Sequence, residues 1–123
     1  MKNQAYRMAM LFDFYGDLLT DRQKEFYDLY YNEDLSLAEI AENYGISRQG
    51  VRDVIVRAEA AMTEVEDKTH IIRRFFQMRG QIDAIDQAAD RLLQLADRRS
   101  ARPEELDEIG RIIKENTAKL KQE

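Results

Sequence analysis

The chain has 123 residues, 44 % of them hydrophobic and 35 % charged, with 5 Gly, 1 Pro and no Cys. So few turn residues argue against an all-β layout, and the lack of thiols excludes a disulfide scaffold and every thiolate metal site. With 19 basic against 24 acidic residues, a net charge of −5 and a mean hydropathy of −0.63, the chain is neither a generally basic nucleic-acid binder nor a carrier of a membrane-spanning apolar run.

The opening Met1, Lys2, Asn3 and Gln4 lack the charged-then-apolar profile of a secretory leader, so a cytoplasmic protein is expected. Met8, Leu11, Phe12, Tyr15, Leu18 and Leu19 then recur at helical spacing and predict a first amphipathic helix over residues 5–19, with Met10 and Phe14 partly off the stripe. Thr20 and Gln23 are placed to form a capping box, opening a helix over about 21–31 that buries Phe26, Leu29 and Tyr30, with Tyr27 and Tyr31 as its rim. Asn32, Glu33 and Asp34 break the pattern as a polar loop. Ser36 and Glu39 repeat the capping box and start a short helix with Leu37, Ile40 and Ala41 inward. Gly45 fits a left-handed helix end, Ile46 an apolar plug, and Ser47 the cap of the next helix.

From Val51 the apolar residues Ile55, Ala58, Met62, Val65, Thr69, Ile72 and Phe76 follow at steps of 4 and 3, a coiled-coil-like seam. A second seam, Phe75, Met78, Ile82, Ile85, Ala89, Leu92 and Ala96, is out of phase with it, which predicts a kink or interhelix turn between Phe75 and Gly80. Arg98, Arg99, Ser100, Ala101 and Arg102 end that helix as a solvated basic loop, and Pro103 stands where a last helix would start. Leu106, Ile109, Ile113, Asn116 and Leu120 keep that tail amphipathic.

Residues 35–61 carry the most specific pattern, that of a helix-turn-helix: small Ala41 inside the first helix, Gly45 at the turn, Ile46 after it, and Val51 with Val54 or Ile55 on the second helix. An ordinary helical hairpin is the plain alternative. Such a fold does not guarantee DNA contact. Residues 20–61 hold five basic side chains against nine acidic ones, a net of −4 that opposes phosphate binding on average. Locally, Arg48, Gln49 and Arg52 occupy the first turns of the second helix, where groove-reading side chains sit, with Arg suited to guanine edges and Gln to adenine. Ser47, Arg48, Gln49, Arg52 and Arg57 are the candidate nucleic-acid-binding residues, although Gly50 between the arginines adds no contact.

The run from Leu19 through residues 37–41 to residues 46–51 is similar to region 4 of bacterial sigma factors. Residues 7–75 resemble more closely still the YlxM family of small bacterial helix-turn-helix proteins, through residues 10–15, Leu18 to Asp21, Leu29 to Tyr31 and Ser36 to Ala41. Gly50 and Arg52 depart from the Ala and Tyr expected at those positions, and the tail from about Gln77 looks longer and less family-like. The resemblance implies a part in the signal recognition particle pathway, through its RNA or its GTPase.

The remaining candidates read as surface. His70 is the only histidine, and with no Cys that excludes the common His-pair zinc and His-activated nucleophile designs within one chain. Asp83, Asp86 and Asp90 could face a hard cation, but cages for such ions draw on loops, and solvated charge is the better account. No glycine-rich phosphate loop and no nucleophile-base pair is present, which argues against an enzyme. The reading is thus an all-α protein with a helix-turn-helix domain over residues 1–60 and a helical self-association region over 61–123, acting as a homodimer without cofactor, metal or membrane. It is a regulatory component of the signal recognition particle pathway or, as the alternative, a sequence-specific DNA-binding regulator.

Overall fold

The computed structural model describes residues 5–99 and 101–122; the opening Met1 to Gln4 and Ser100 of the basic loop lie outside them. The regular structure among these residues is all helical: α1 (Ala5–Tyr15), a single 3₁₀ turn (Gly16–Leu18), α2 (Asp21–Tyr31), α3 (Leu37–Tyr44), α4 (Arg48–Thr69), α5 (Ile71–Arg98) and α6 (Pro103–Lys121). No helix among them is long and apolar enough to cross a membrane. The chain divides into two compact units, one ending at Ile72 and one beginning at Arg73.

Local chemistry sets the helix ends of the first unit. Both capping boxes form: the Thr20 hydroxyl accepts from the Gln23 amide at 3.2 Å while Gln23 accepts from the Thr20 amide at 3.0 Å, and Ser36 and Glu39 exchange the same pair of bonds. Each satisfies two amides that the first helical turn cannot. Gly45 closes α3 at φ 67°, where a side chain would be strained, and the Ile46 amide reaches back to the Ala41 carbonyl at 3.1 Å.

The helices assemble on α4, which packs against α1, α2 and α3. Its inner stripe, Val51, Ile55, Ala58 and Met62, is buried among Met8, Leu11, Phe26, Ile40 and Ala41. Because Met62 is fully part of this core and Val65 and Ile72 pack on it, the unit continues beyond residue 60, where a boundary was expected.

The structure differs from the sequence reading at three further places. Leu18 is 68 % exposed, because the chain tightens into a 3₁₀ turn at Gly16 and the 3.6-residue phase of α1 stops there, while Leu19 stays buried. Tyr27 is not a rim residue: it is 0 % exposed, its ring stacks on Phe12, and its hydroxyl donates to the Met8 carbonyl at 2.6 Å. The break between the long helices falls at His70, in the left-handed region at φ 56°, and Gly80 lies inside α5. The Glu66 carboxylate holds that break by accepting from both the Ile72 amide (2.9 Å) and the Tyr15 hydroxyl (2.5 Å), tying the start of α5 to the end of α1.

Tyrosine hydroxyls bind the other helices in the same way. Tyr31 of α2 donates to Glu59 of α4, and Tyr44 of α3 donates to Glu25 of α2. Burial raises the phenols of Tyr15, Tyr27 and Tyr31, with the carboxylate partners adding to the shift at Tyr15 and Tyr31, whereas at Tyr44 the bond to Glu25 is the main cause.

In the second unit α5 and α6 meet where Arg91 reaches Glu108 at 3.3 Å. Ala88, one turn before Arg91, and Ile109, next to Glu108, are the buried apolar side chains here among the described residues. Pro103 starts α6 as expected, and Arg102 pairs with Glu105 at 2.8 Å.

Two outcomes follow for stability. Ile55→Ala should destabilise the protein by about 2–5 kcal/mol through loss of burial and a residual cavity, while Leu18→Ala should stay within about 0.5 kcal/mol, both read by denaturant unfolding. A phenol whose folded pKa is raised stabilises fully below its unfolded value near 10 and loses that contribution as pH rises toward the folded value. The denaturant midpoint should therefore fall between about pH 10 and about pH 12, and fall less steeply in Tyr31→Phe.

Candidate nucleic-acid interface

The site begins with the turn between α3 and α4. Small, buried Ala41 lets α4 approach α3, Gly45 reverses the chain, and Ile46 packs on the core, so that α4 leaves the turn with its first residues in solvent. These are the parts of a helix-turn-helix in their required order, with α4 as the second helix.

Ser47 caps α4: its hydroxyl accepts from the Gly50 amide at 2.9 Å, so its acceptor is committed to the helix start. Gly50 matters to that cap. A Cβ built on it would stand 3.1 Å from the Ser47 oxygen and 3.8 Å from Ile46 Cδ1, closer than an ordinary contact in the first case. The glycine read from sequence as a residue without contacts is therefore the space into which the cap fits.

Arg48, Gln49, Arg52 and Arg57 are all exposed. Arg48 and Arg52 are one turn apart on one flank of α4, and no ion pair among the described residues neutralises either. Gln49 donates to the Asp53 carboxylate at 2.8 Å, so the two side chains satisfy each other in the middle of the outward face. Arg57 is five residues past Arg52, which turns it about 140° around the axis and sets it on the opposite flank. The structure thus joins Arg48, Gln49 and Arg52 into one surface at the helix start, gives Ser47 a structural task there, and separates Arg57 from it.

Val56 belongs to this surface and was missed. It is 36 % exposed, one turn beyond Arg52, and offers the face an apolar contact of the kind that meets a thymine methyl. Its sequence signal was its place one residue after buried Ile55, off the inner stripe. The carboxylates Glu25 and Glu59, part of the acidic excess that counts against phosphate binding, accept from tyrosines at other points of the unit, as does Glu66 beyond that stretch. Among the described residues, no group of three or more His, Asp or Glu side chains is arranged to hold a metal ion.

Comparison with known proteins gives a consistent answer. The family model UPF0122, described as "Putative helix-turn-helix protein, YlxM / p13 like", matches residues 2–102. The match thus runs through α5, well past Gln77, where the tail had looked less family-like. Among curated proteins, a UPF0122 protein of Desulforamulus reducens is 49 % identical over 74 residues, 60 % of this chain and 63 % of that protein. This alignment covers less than two thirds of the relative's length. A UPF0122 protein of Thermoanaerobacter sp. is 40 % identical over 111 residues, 88 % of this chain and 92 % of the relative. One from Symbiobacterium thermophilum is 46 % identical over 94 residues, 76 % and 88 % of the two chains.

The cap and the glycine can be tested together by thermal unfolding. Ser47→Ala should cost about 1 kcal/mol. Gly50→Ala gains up to about 1 kcal/mol of helix propensity, reduced by the push on Ser47, and should stabilise by less than that. In the Ser47→Ala background the same Gly50→Ala change should recover its full gain, because the crowded oxygen is gone.

Proposed function

This chain belongs to the UPF0122 family of YlxM and p13-like helix-turn-helix proteins, and we propose that it is a non-enzymatic regulatory protein that engages nucleic acid through the first turns of α4. The observation that carries this reading is the exposed, unneutralised pair Arg48 and Arg52, placed with Gln49 on the outward face at the start of the second helix. Phosphate neutralisation supplies most of the affinity of such contacts, and a helix N-terminus adds its positive end to the two guanidinium groups. Arg57, on the other flank, is assigned a backbone contact rather than a place in the same reading surface. The Ser47 hydroxyl, occupied by the cap, acts by fixing the helix start.

The pathway we assign is that of the signal recognition particle, with its RNA or its GTPase as partner. That assignment rests on the family resemblance of residues 10–15 and 36–41. The second reading, a sequence-specific DNA-binding regulator, is favoured by Gln49 between two arginines, since these residue types pair with adenine and guanine edges. Reading an adenine would cost Gln49 its bond to Asp53.

A salt-series anisotropy titration of labelled signal recognition particle RNA, with random duplex DNA as competitor, tests both. RNA binding that weakens with salt, resists the DNA, and drops about 5- to 150-fold in Arg52→Ala supports the pathway reading. Preference for one duplex sequence, relaxed at a single base position by Arg52→Ala, supports the second. Binding to neither nucleic acid, or normal binding by Arg52→Glu, overturns the proposed surface.

A further inference from the structure

The second unit has a thin interior of its own. α6 covers one side of α5, the side of Ala88 and Arg91, and a neighbouring side carries another apolar stripe: Phe75, Met78, Ile82, Ile85, Ala89 and Leu92, at steps of 3, 4, 3, 4 and 3. None of these side chains is buried, and Met78, Ile82 and Leu92 are 41 %, 45 % and 40 % exposed. A seam at that spacing is what a second helix packs into.

The charges along the stripe indicate which helix. Arg73, Arg74 and Arg79 precede its middle, Asp83 lies at it, and Asp86 and Asp90 follow it, while Arg91 is engaged by Glu108 of α6. Arg79, Asp83, Asp86 and Asp90 are exposed, and no ion pair among the described residues engages them. A seam flanked by basic residues before its middle and acidic ones after it, as over residues 73–90, repels an in-register parallel copy and attracts an antiparallel one. With Phe75 and Met78 at the a and d positions of a heptad, Arg79 and Asp86 both stand at e, one step outside the seam, where charges set partner and orientation.

We propose that α5 pairs antiparallel with α5 of a second copy of this chain, about a two-fold axis near Ile82 and Asp83, so that Arg79 of each copy faces Asp86 of the other. The two α5–α6 pairs then share one interior as a four-helix bundle, which supplies the core that a single pair lacks. This pairing does not depend on what α4 binds.

Sedimentation equilibrium on the full chain tests it. The wild type should be a dimer at micromolar concentration. Arg79→Glu alone and Asp86→Arg alone should each weaken dimerisation by about tenfold, because each places two like-charge pairs across the seam. An equimolar mixture of these two variants should form heterodimers in preference to either homodimer, and the double variant should recover wild-type association. A folding defect would not produce that rescue. Ile82→Lys should be monomeric with unchanged helix content by circular dichroism. A monomeric wild type at about 100 μM, well above that range, overturns the dimer. A mixture that associates no better than its components overturns the antiparallel pairing.

Discussion

The burial of one face of α4 is the constraint on which the first unit depends. Val51, Ile55, Ala58 and Met62 make a single stripe, and α1, α2 and α3 all pack against that helix. A helix that must turn this stripe inward has no freedom left about its own axis. Arg48, Gln49, Arg52 and Val56 are therefore turned outward by the same packing that stabilises the fold. Rotation of α4 by a single residue would bury an arginine and expose an isoleucine, at a cost of several kcal/mol from each change. The candidate surface is rigid for the same reason the core is well packed.

The second organising feature is a set of phenol hydroxyls that reach between elements. Tyr15, Tyr31 and Tyr44 each donate to a glutamate on another helix, and Tyr27 donates to a backbone carbonyl of α1. Tyr15, Tyr27 and Tyr31 place the ring against apolar neighbours and the one polar atom on a waiting acceptor, so that the polar tip is satisfied where water is scarce, while the Tyr44 bond lies in solvent. Glu66 does the most with one carboxylate, since it also accepts from the first turn of α5 and so holds the break at His70. This explains how a chain with an acidic excess keeps the Glu59 and Glu66 carboxylates at half-buried positions without buried, unpartnered side-chain polar atoms among the described residues.

The two units solve the problem of a core differently. The first gathers four helices around aromatic and aliphatic side chains. The second has two amphipathic helices, with Ala88 and Ile109 as its buried apolar side chains among the described residues and an exposed stripe on α5. Two helices side by side leave half of each apolar face to water, which is why such pairs are stable chiefly when they find further helices.

Much of this protein was legible in its sequence because the relevant forces act over four residues or fewer. The capping boxes of Thr20 and Ser36, the left-handed Gly45, the Ser47 cap and Pro103 at the start of α6 depend on a hydroxyl, a missing Cβ or a fixed φ meeting backbone one turn away. The helix-turn-helix followed from these signals, and its inner stripe followed from the period of 3.6. The tertiary structure alone decided what depends on a partner distant in the chain. Tyr27 is buried because Phe12 and the Met8 carbonyl are there to receive its ring and hydroxyl, and Leu18 is exposed because a 3₁₀ turn shifts its phase. The long helix breaks at His70 rather than at Gly80 because Tyr15 and Glu66, 51 residues apart, meet at that point. Sequence period could place Arg48 and Arg52 on one flank of α4, but only the packing of three other helices determined that this flank faces out.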